Sequence, residues 1–145
     1  MTSGELPAAF PVTISLPVQW GDQDAFGHVN NVRFLRWFES SRIAYFRKCG
    51  IKLTAAGLGP ILAAVHCNYR QQVRFPDTVI VGARVTGLGR SSINIEHKLW
   101  SDRLNAVATD GNSTVVIFDY QKQRPAPLSD EIRAAIEALE GHSFD

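Results

Sequence analysis

The sequence predicts an α+β fold in which one sheet of about five strands curls around one long apolar helix. Three observations point there. Residues 31–49 carry apolar side chains at helical spacing around most of the helix circumference. Runs that read as strands lie once before that helix and four times after it. A helix so widely apolar must be enclosed by protein, and a single sheet can enclose it only by wrapping it.

The elements follow in order. Residues 1–11 contain Gly4, Pro7 and Pro11 and read as a flexible leader, with a single domain over residues 12–145. Residues 12–20 place Ile14, Leu16 and Val18 on one side and read as a strand, with Pro17 suggesting an edge position or a bulge. The glycine-rich loop 21–31 breaks it. In the helix 31–49, Arg33, Arg36, Ser40 and Arg47 form one polar stripe, while Val32, Phe34, Leu35, Trp37, Phe38, Ile43, Ala44 and Phe46 cover most of the rest. Asn30 or Asn31 is suited to the N-cap, because its side chain can accept a hydrogen bond from an unpaired N–H, and Gly50 is suited to end the helix.

Residues 51–60 read as a loop. Strands are expected at 61–75, 78–88, 92–100 and 105–120, with turns at Gly89-Arg90 and Ser101-Asp102-Arg103. Gly111, inside the longest run, suggests a bulge. Arg124-Pro125-Ala126-Pro127 reads as a stiff connector. Ser129 can cap a short last helix whose apolar stripe is Ile132, Ile136 and Leu139.

Composition narrows the function classes. The chain has 145 residues, 45% of them hydrophobic, which suits one domain with a substantial core. Its formal net charge is +1, from 15 basic and 14 acidic residues, so no basic field favours nucleic acid or an anionic membrane. No run of about 18 apolar residues is present, and the first ten residues lack a signal-peptide pattern, so a cytoplasmic protein is expected. The two cysteines, Cys49 and Cys67, lack metal-ligand spacing and read as reduced, buried thiols.

The chemistry is expected in the loop 21–31. It places Asp22, Asp24, His28, Asn30 and Asn31 immediately before a helix start. A helix start offers unpaired N–H groups and partial positive charge, which can stabilise an oxyanion and keep a nearby carboxylate ionised. Asp24 has the character of a hydrolytic base or nucleophile, or of a turn residue bonding its own backbone. Asp22 reads as a loop-fixing residue. His28 either orients a reactant or packs within the loop. Gly21 and Gly27 allow tight turns and close approach of a substrate. Phe26, Phe34, Trp37 and Phe38 could line an apolar ligand pocket or belong to the core. His97 and His66 read as bonded core histidines, and Glu39 as an ion-pair partner of Arg36 or Arg42.

The string Asp22-Gln-Asp-Ala-Phe-Gly-His-Val-Asn-Asn31, preceded by Trp20-Gly21, resembles the signature of the 4-hydroxybenzoyl-CoA thioesterase-like hotdog family. Residues 69–79 and the Arg124-Pro-Ala-Pro-Leu-Ser129 ending resemble later family segments. The resemblance, over roughly residues 12–140, implies an antiparallel hotdog sheet around a central helix. It also implies hydrolysis of an acyl-CoA to free acid and coenzyme A. Asp24 matches the family's catalytic carboxylate, acting as nucleophile or general base. The helix-start backbone, by position the Asn31 N–H, would polarise the carbonyl, with His28 a further catalytic candidate. Phe26, Gly27 and Phe34 are the substrate-binding candidates. No metal and no cofactor beyond the substrate's own coenzyme A is implied. The family's assemblies imply a homodimer at least, and a tetramer as the better expectation. Some of Arg70, Arg74, Arg84 and Arg90 could hold coenzyme A phosphates, or be ordinary solvated charges. Two other readings stay open. One is an acyl-ACP thioesterase, although Phe26 stands where those enzymes carry an Asn; the other is a non-catalytic acyl-CoA binder, for which the chain shows no basic DNA-binding segment.

Overall fold

The computed structural model, which describes residues 10–51 and 57–144, has the predicted order of strand, helix, four strands and helix with one added strand, because Arg124-Pro125, read as part of a stiff connector, pairs with the preceding strand. The elements are β1 (Val12–Pro17), a 3-10 turn (Trp20–Asp22), α1 (Asn31–Lys48), β2 (Leu58–Tyr69), β3 (Thr78–Leu88), β4 (Ser92–Ser101), β5 (Ala106–Asp119), β6 (Arg124–Pro125) and α2 (Asp130–Glu140). The sheet runs β1-β3-β4-β5-β2, every pair antiparallel, and the two-residue β6 joins β5. Pro17 therefore sits on an edge strand, where its missing N–H costs no ladder bond. Of the leader read over residues 1–11, residues 1–9 lie outside the described residues, and Phe10 is buried against Trp100.

Several boundaries move. β1 stops at Pro17, because the chain turns into the 3-10 turn before reaching Trp20. β2 starts at Leu58 rather than residue 61. It ends at Tyr69 rather than residue 75, because Arg70 and Gln71 both direct their N–H groups at the single carbonyl of Ala108, which ends the ladder. Gly111 is not a bulge. It pairs in register with Cys67 and His97, and a Cβ there would lie 2.0 Å from the His66 carbonyl oxygen. The glycine thus allows two backbones to approach closely; the irregularity in the β4–β5 ladder falls instead between Leu99 and Trp100.

α1 lies mainly over β1 and β3. Its buried residues are Phe34, Trp37, Phe38, Ser41, Arg42, Tyr45 and Phe46, a stripe at spacings of three and four. The helix is thus less enclosed than its composition predicts: Val32 is exposed, and Leu35, Ile43 and Ala44 are half-buried. Asn30 is the N-cap, its Oδ1 accepting from the Val32 N–H at 3.0 Å. Gly50 follows the C-cap with φ of 75°, a left-handed conformation that glycine adopts without strain. Ser129 caps α2 through the Ile132 N–H at 3.1 Å. The far end of α2 is tied down by Glu140, which accepts from the Tyr45 hydroxyl and the Val85 N–H. Burial, together with that carboxylate, pushes the Tyr45 phenol up from its ordinary value.

Two apolar clusters fill the space between helix and sheet. One gathers Tyr45, Phe46, Ile93, Ile95, Val115, Ile117 and Ile136; the other gathers Phe34, Trp37, Phe38, Val73, Val79, Val81 and Leu99. A polar belt bonds helix to sheet within this interior. His97 is fully buried, with Nδ1 2.9 Å from Ser41 Oγ and Nε2 2.8 Å from Ser113 Oγ. Ser41 donates its proton to the Phe38 carbonyl at 2.7 Å, so it accepts from His97 Nδ1–H. His97 Nε2 then accepts from Ser113, which in turn accepts from the Arg42 guanidinium at 3.0 Å. Phe38 stacks on the imidazole with ring centres 4.6 Å apart. His97 is the core histidine that its strand position predicts. His66 is not: edge strand β2 leaves it exposed, bonded to Asn68. Cys49 and Cys67 are half-buried free thiols, and burial, then Glu140, pushes Cys49 up to about 11.

Burial, followed by the Arg42 charge, lowers the His97 pKa to about 3 from the ordinary 6.5. The unfolded chain therefore binds a proton at this residue between pH 6.5 and 3 that the folded chain does not. Stability is unaffected above that window and falls as pH drops through it, by roughly 3 kcal/mol at pH 4. In an NMR titration, the His97 imidazole should stay neutral, protonated on Nδ1, down to pH 5. Titration near 6.5 would contradict this account of the belt.

Candidate active site

The loop between β1 and α1 is built around Asp22. This side chain is buried, with Oδ2 accepting from the Gln19 N–H at 2.8 Å and Oδ1 facing Arg33 Nε at 3.2 Å. Its backbone carbonyl accepts from the Asn30 N–H at 3.0 Å. One residue thus ties the end of β1 to the start of α1, the loop-fixing role its position suggests. The segment leaving β2, residues 70–75, forms the other support. Val73 accepts from the Val29 N–H at 2.7 Å, and Gln23 Oε1 accepts from the Phe75 N–H at 3.1 Å. Reading this segment as strand hides its purpose: it leaves the sheet to hold the loop.

Between these supports, residues 24–28 make a tight turn. The Asp24 N–H donates to the His28 carbonyl at 2.9 Å, and the Gly27 N–H to the Asp24 carbonyl at 3.2 Å. Gly27 has φ of 81°, which a side chain would strain. Asp24 uses Oδ1 to accept from the Phe26 N–H at 2.8 Å, so the turn-forming role expected of such an Asp is real. Its Oδ2 lies 4.0 Å from His28 Nδ1, and both side chains keep partial access to solvent. One oxygen therefore fixes the carboxylate, and the other makes no hydrogen bond among the described residues.

At the start of α1, Asn30 Oδ1 satisfies the Val32 N–H and the Asn30 carbonyl accepts from Arg33. Among the described residues, the Asn31 N–H has no hydrogen-bond partner. Asn31 lines a cleft of about 340 Å³ together with His28, Val29, Phe34 and residues 69–72. On the other side of the helix start, a depression of about 400 Å³ is lined by Gly21, Asp22, Gln23, Asn30, Val32, Arg33 and Arg36. Asp24 lines neither of these two, and sits on the loop beside His28.

The structure brings Asp24, Gly27 and His28 into one turn and puts Asn31 and Phe34 in the cleft that His28 borders. Phe26 is not in that cleft. It stands at the loop tip, 81% exposed, its ring parallel to His28 at 6.3 Å, with Trp20 73% and Val32 69% exposed nearby in sequence. Trp37 and Phe38 belong to the core. Arg70 is paired with Asp110 and Arg84 with Glu96. Glu39 is exposed on α1 and acts on Arg42 through its charge. Tyr69, absent from the sequence-based candidates, lines the cleft and donates its hydroxyl to the Asn31 carbonyl at 3.0 Å. Its signal was the end of period-two alternation before Arg70-Gln71-Gln72. Among the described residues, no group of three or more His, Cys, Asp or Glu is placed to hold a metal ion, and no helix is long and apolar enough to cross a membrane.

A carboxylate oxygen free of hydrogen bonds among the described residues, close in the chain to an unpaired helix-start N–H, is suited to acyl transfer to water, which needs a base or nucleophile and a stabilised oxyanion. The chain belongs to the thioesterase-like superfamily, whose family model matches residues 18–136, and this places it among thioester hydrolases. A thioesterase of Thermus thermophilus, solved with coenzyme A and zinc, is 36% identical, with a TM-score of 0.82 over 93% of this chain and 98% of that one. The fold is thus the hotdog fold. The long-chain acyl-CoA thioesterase FadM of Escherichia coli is 23% identical over 80% of this chain and 89% of its own length. The uncharacterized Bacillus subtilis protein YsmA is 27% identical over 64% of this chain, and the match spans 63% of that protein's length.

Proposed function

We propose that this chain hydrolyses acyl-CoA thioesters, with Asp24 as nucleophile or general base and the Asn31 N–H as oxyanion donor. The observation that carries the reading is the unpaired Asn31 N–H at a helix start that follows the Asp24 turn. The thioester carbonyl oxygen would accept from that N–H, and its carbon would face Asp24 Oδ2. In one route the carboxylate attacks that carbon, the thiolate leaves and takes a proton from water, and water then cleaves the mixed anhydride. In the other, Asp24 takes a proton from a water that attacks directly. Both yield free acid and thiol. His28, with Nδ1 4.0 Å from Asp24 Oδ2, would orient Asp24 or that water.

Coenzyme A as the carrier is supported by the coenzyme A bound to the Thermus relative and by the acyl-CoA activity in the name of FadM. Phe34 offers an apolar wall for the acyl group, while Gly27 and exposed Phe26 are at the loop where the carrier arm would lie. The only cofactor chemistry required is that of the substrate's own coenzyme A.

Asp24→Asn keeps the turn-forming acceptor and removes the charge. Its kcat in a thiol-release assay across short, long and aromatic acyl-CoA esters should fall about 100-fold or more, with an unchanged melting temperature. Wild-type turnover in this variant would exclude Asp24 as the catalyst.

The chain should also assemble with itself. Among the described residues β2 pairs only with β5, so its outer edge is open, and Leu58, Ile61, Leu62 and Val65 are exposed along it. Pairing of two such edges would cover them and bring a second copy near the cleft at Tyr69, and two such dimers would make the tetramer. Sedimentation at micromolar concentration should give a dimer or larger; a monomeric mass would contradict the assembly.

A further inference from the structure

Tyr69 ends β2, and its side chain reaches the first turn of α1. The hydroxyl donates to the Asn31 carbonyl at 3.0 Å, and the ring meets Phe34 edge-on with centres 5.5 Å apart. The Cys67 thiol lies two residues back on the same strand and acts on this hydroxyl. Burial and that thiol push the phenol above its ordinary value, so it remains a proton donor rather than a base.

The effect falls on the peptides around the oxyanion donor. The Asn30 N–H is held by the Asp22 carbonyl, and the Asn30 carbonyl accepts from Arg33. The next peptide is held at both ends, with Asn30 Oδ1 on the Val32 N–H and Tyr69 on the Asn31 carbonyl. A helical carbonyl already has an intrahelical donor available, so the tyrosine bond is not needed to satisfy it. What it adds is a tether across the cleft between strand end and helix start.

We propose that Tyr69 is a positioning residue: by fixing the peptide that begins at the Asn31 carbonyl, it restrains the backbone of Asn31 and with it the direction in which the Asn31 N–H meets the incoming carbonyl oxygen. The proposal rests on the thioesterase reading and assigns a role within that site. A fixed donor needs no reorganisation as charge develops on the oxygen, so the gain appears in the chemical step rather than in substrate binding. Tyr69 and Phe34 together also set the distance between the cleft walls.

Tyr69→Phe retains the ring contact with Phe34 and removes the tether. For acyl-CoA hydrolysis, its kcat should fall about tenfold while KM stays within about twofold of wild type. A 15N relaxation measurement reads the same effect without turnover. The Asn31 N–H should have the order parameter of rigid backbone, about 0.85, in the wild type and a clearly lower one in Tyr69→Phe. An unchanged order parameter overturns the proposal, as does a loss confined to KM. If the wild type hydrolyses no acyl-CoA, the thioesterase reading falls, and the order parameter alone decides whether Tyr69 holds Asn31.

Discussion

The buried stripe of α1 is the constraint from which the site follows. Phe34, Trp37, Phe38, Tyr45 and Phe46 face the sheet, and burial of such side chains contributes about 1.5–3 kcal/mol each. That packing fixes the position and rotation of the helix. It therefore fixes where the first turn projects its unpaired N–H groups. Asp22 and Asn30 satisfy the Gln19, Asn30 and Val32 donors, and the Asn31 N–H has no partner among the described residues. The geometry of the helix start is thus a consequence of helix packing, not of the loop alone.

The polar belt makes that packing specific. An all-apolar interface would tolerate sliding of the helix along the sheet. The chain from Arg42 through Ser113 and His97 to Ser41 and the Phe38 carbonyl is satisfied only in one register. Its cost is a desolvated guanidinium, whose pKa burial lowers, and a histidine that must remain neutral. Displacing the helix would leave those groups buried without partners, which adds about 1–3 kcal/mol for each to the loss of apolar contact.

Much of the fold was legible because it rests on local patterns. The alternation of Ile93, Ile95, His97 and Leu99 marks the inner face of β4, and the Asn30 and Ser129 caps follow from residue type and position. The failures share a physical cause: they depend on what lies opposite in space. Gly111 looks like a bulge until His66 is seen across from it. His66 looks like a core residue until β2 proves to be an edge. At the site, the Asp24 turn and Asn31 were legible from a string of adjacent residues. Tyr69 was not, because its partner Asn31 is far away in sequence, and neither was the departure of residues 70–75 from the sheet to support the loop.

The central claim, that the start of α1 holds the oxyanion beside Asp24, is tested most directly by a crystal structure with an unreactive acyl-CoA analogue that retains a carbonyl group. The account predicts the carbonyl oxygen within about 3 Å of the Asn31 nitrogen, with Asp24 Oδ2 facing the carbonyl carbon. A carbonyl bound away from the helix start, or an Asp24 carboxylate turned from it, would contradict the account.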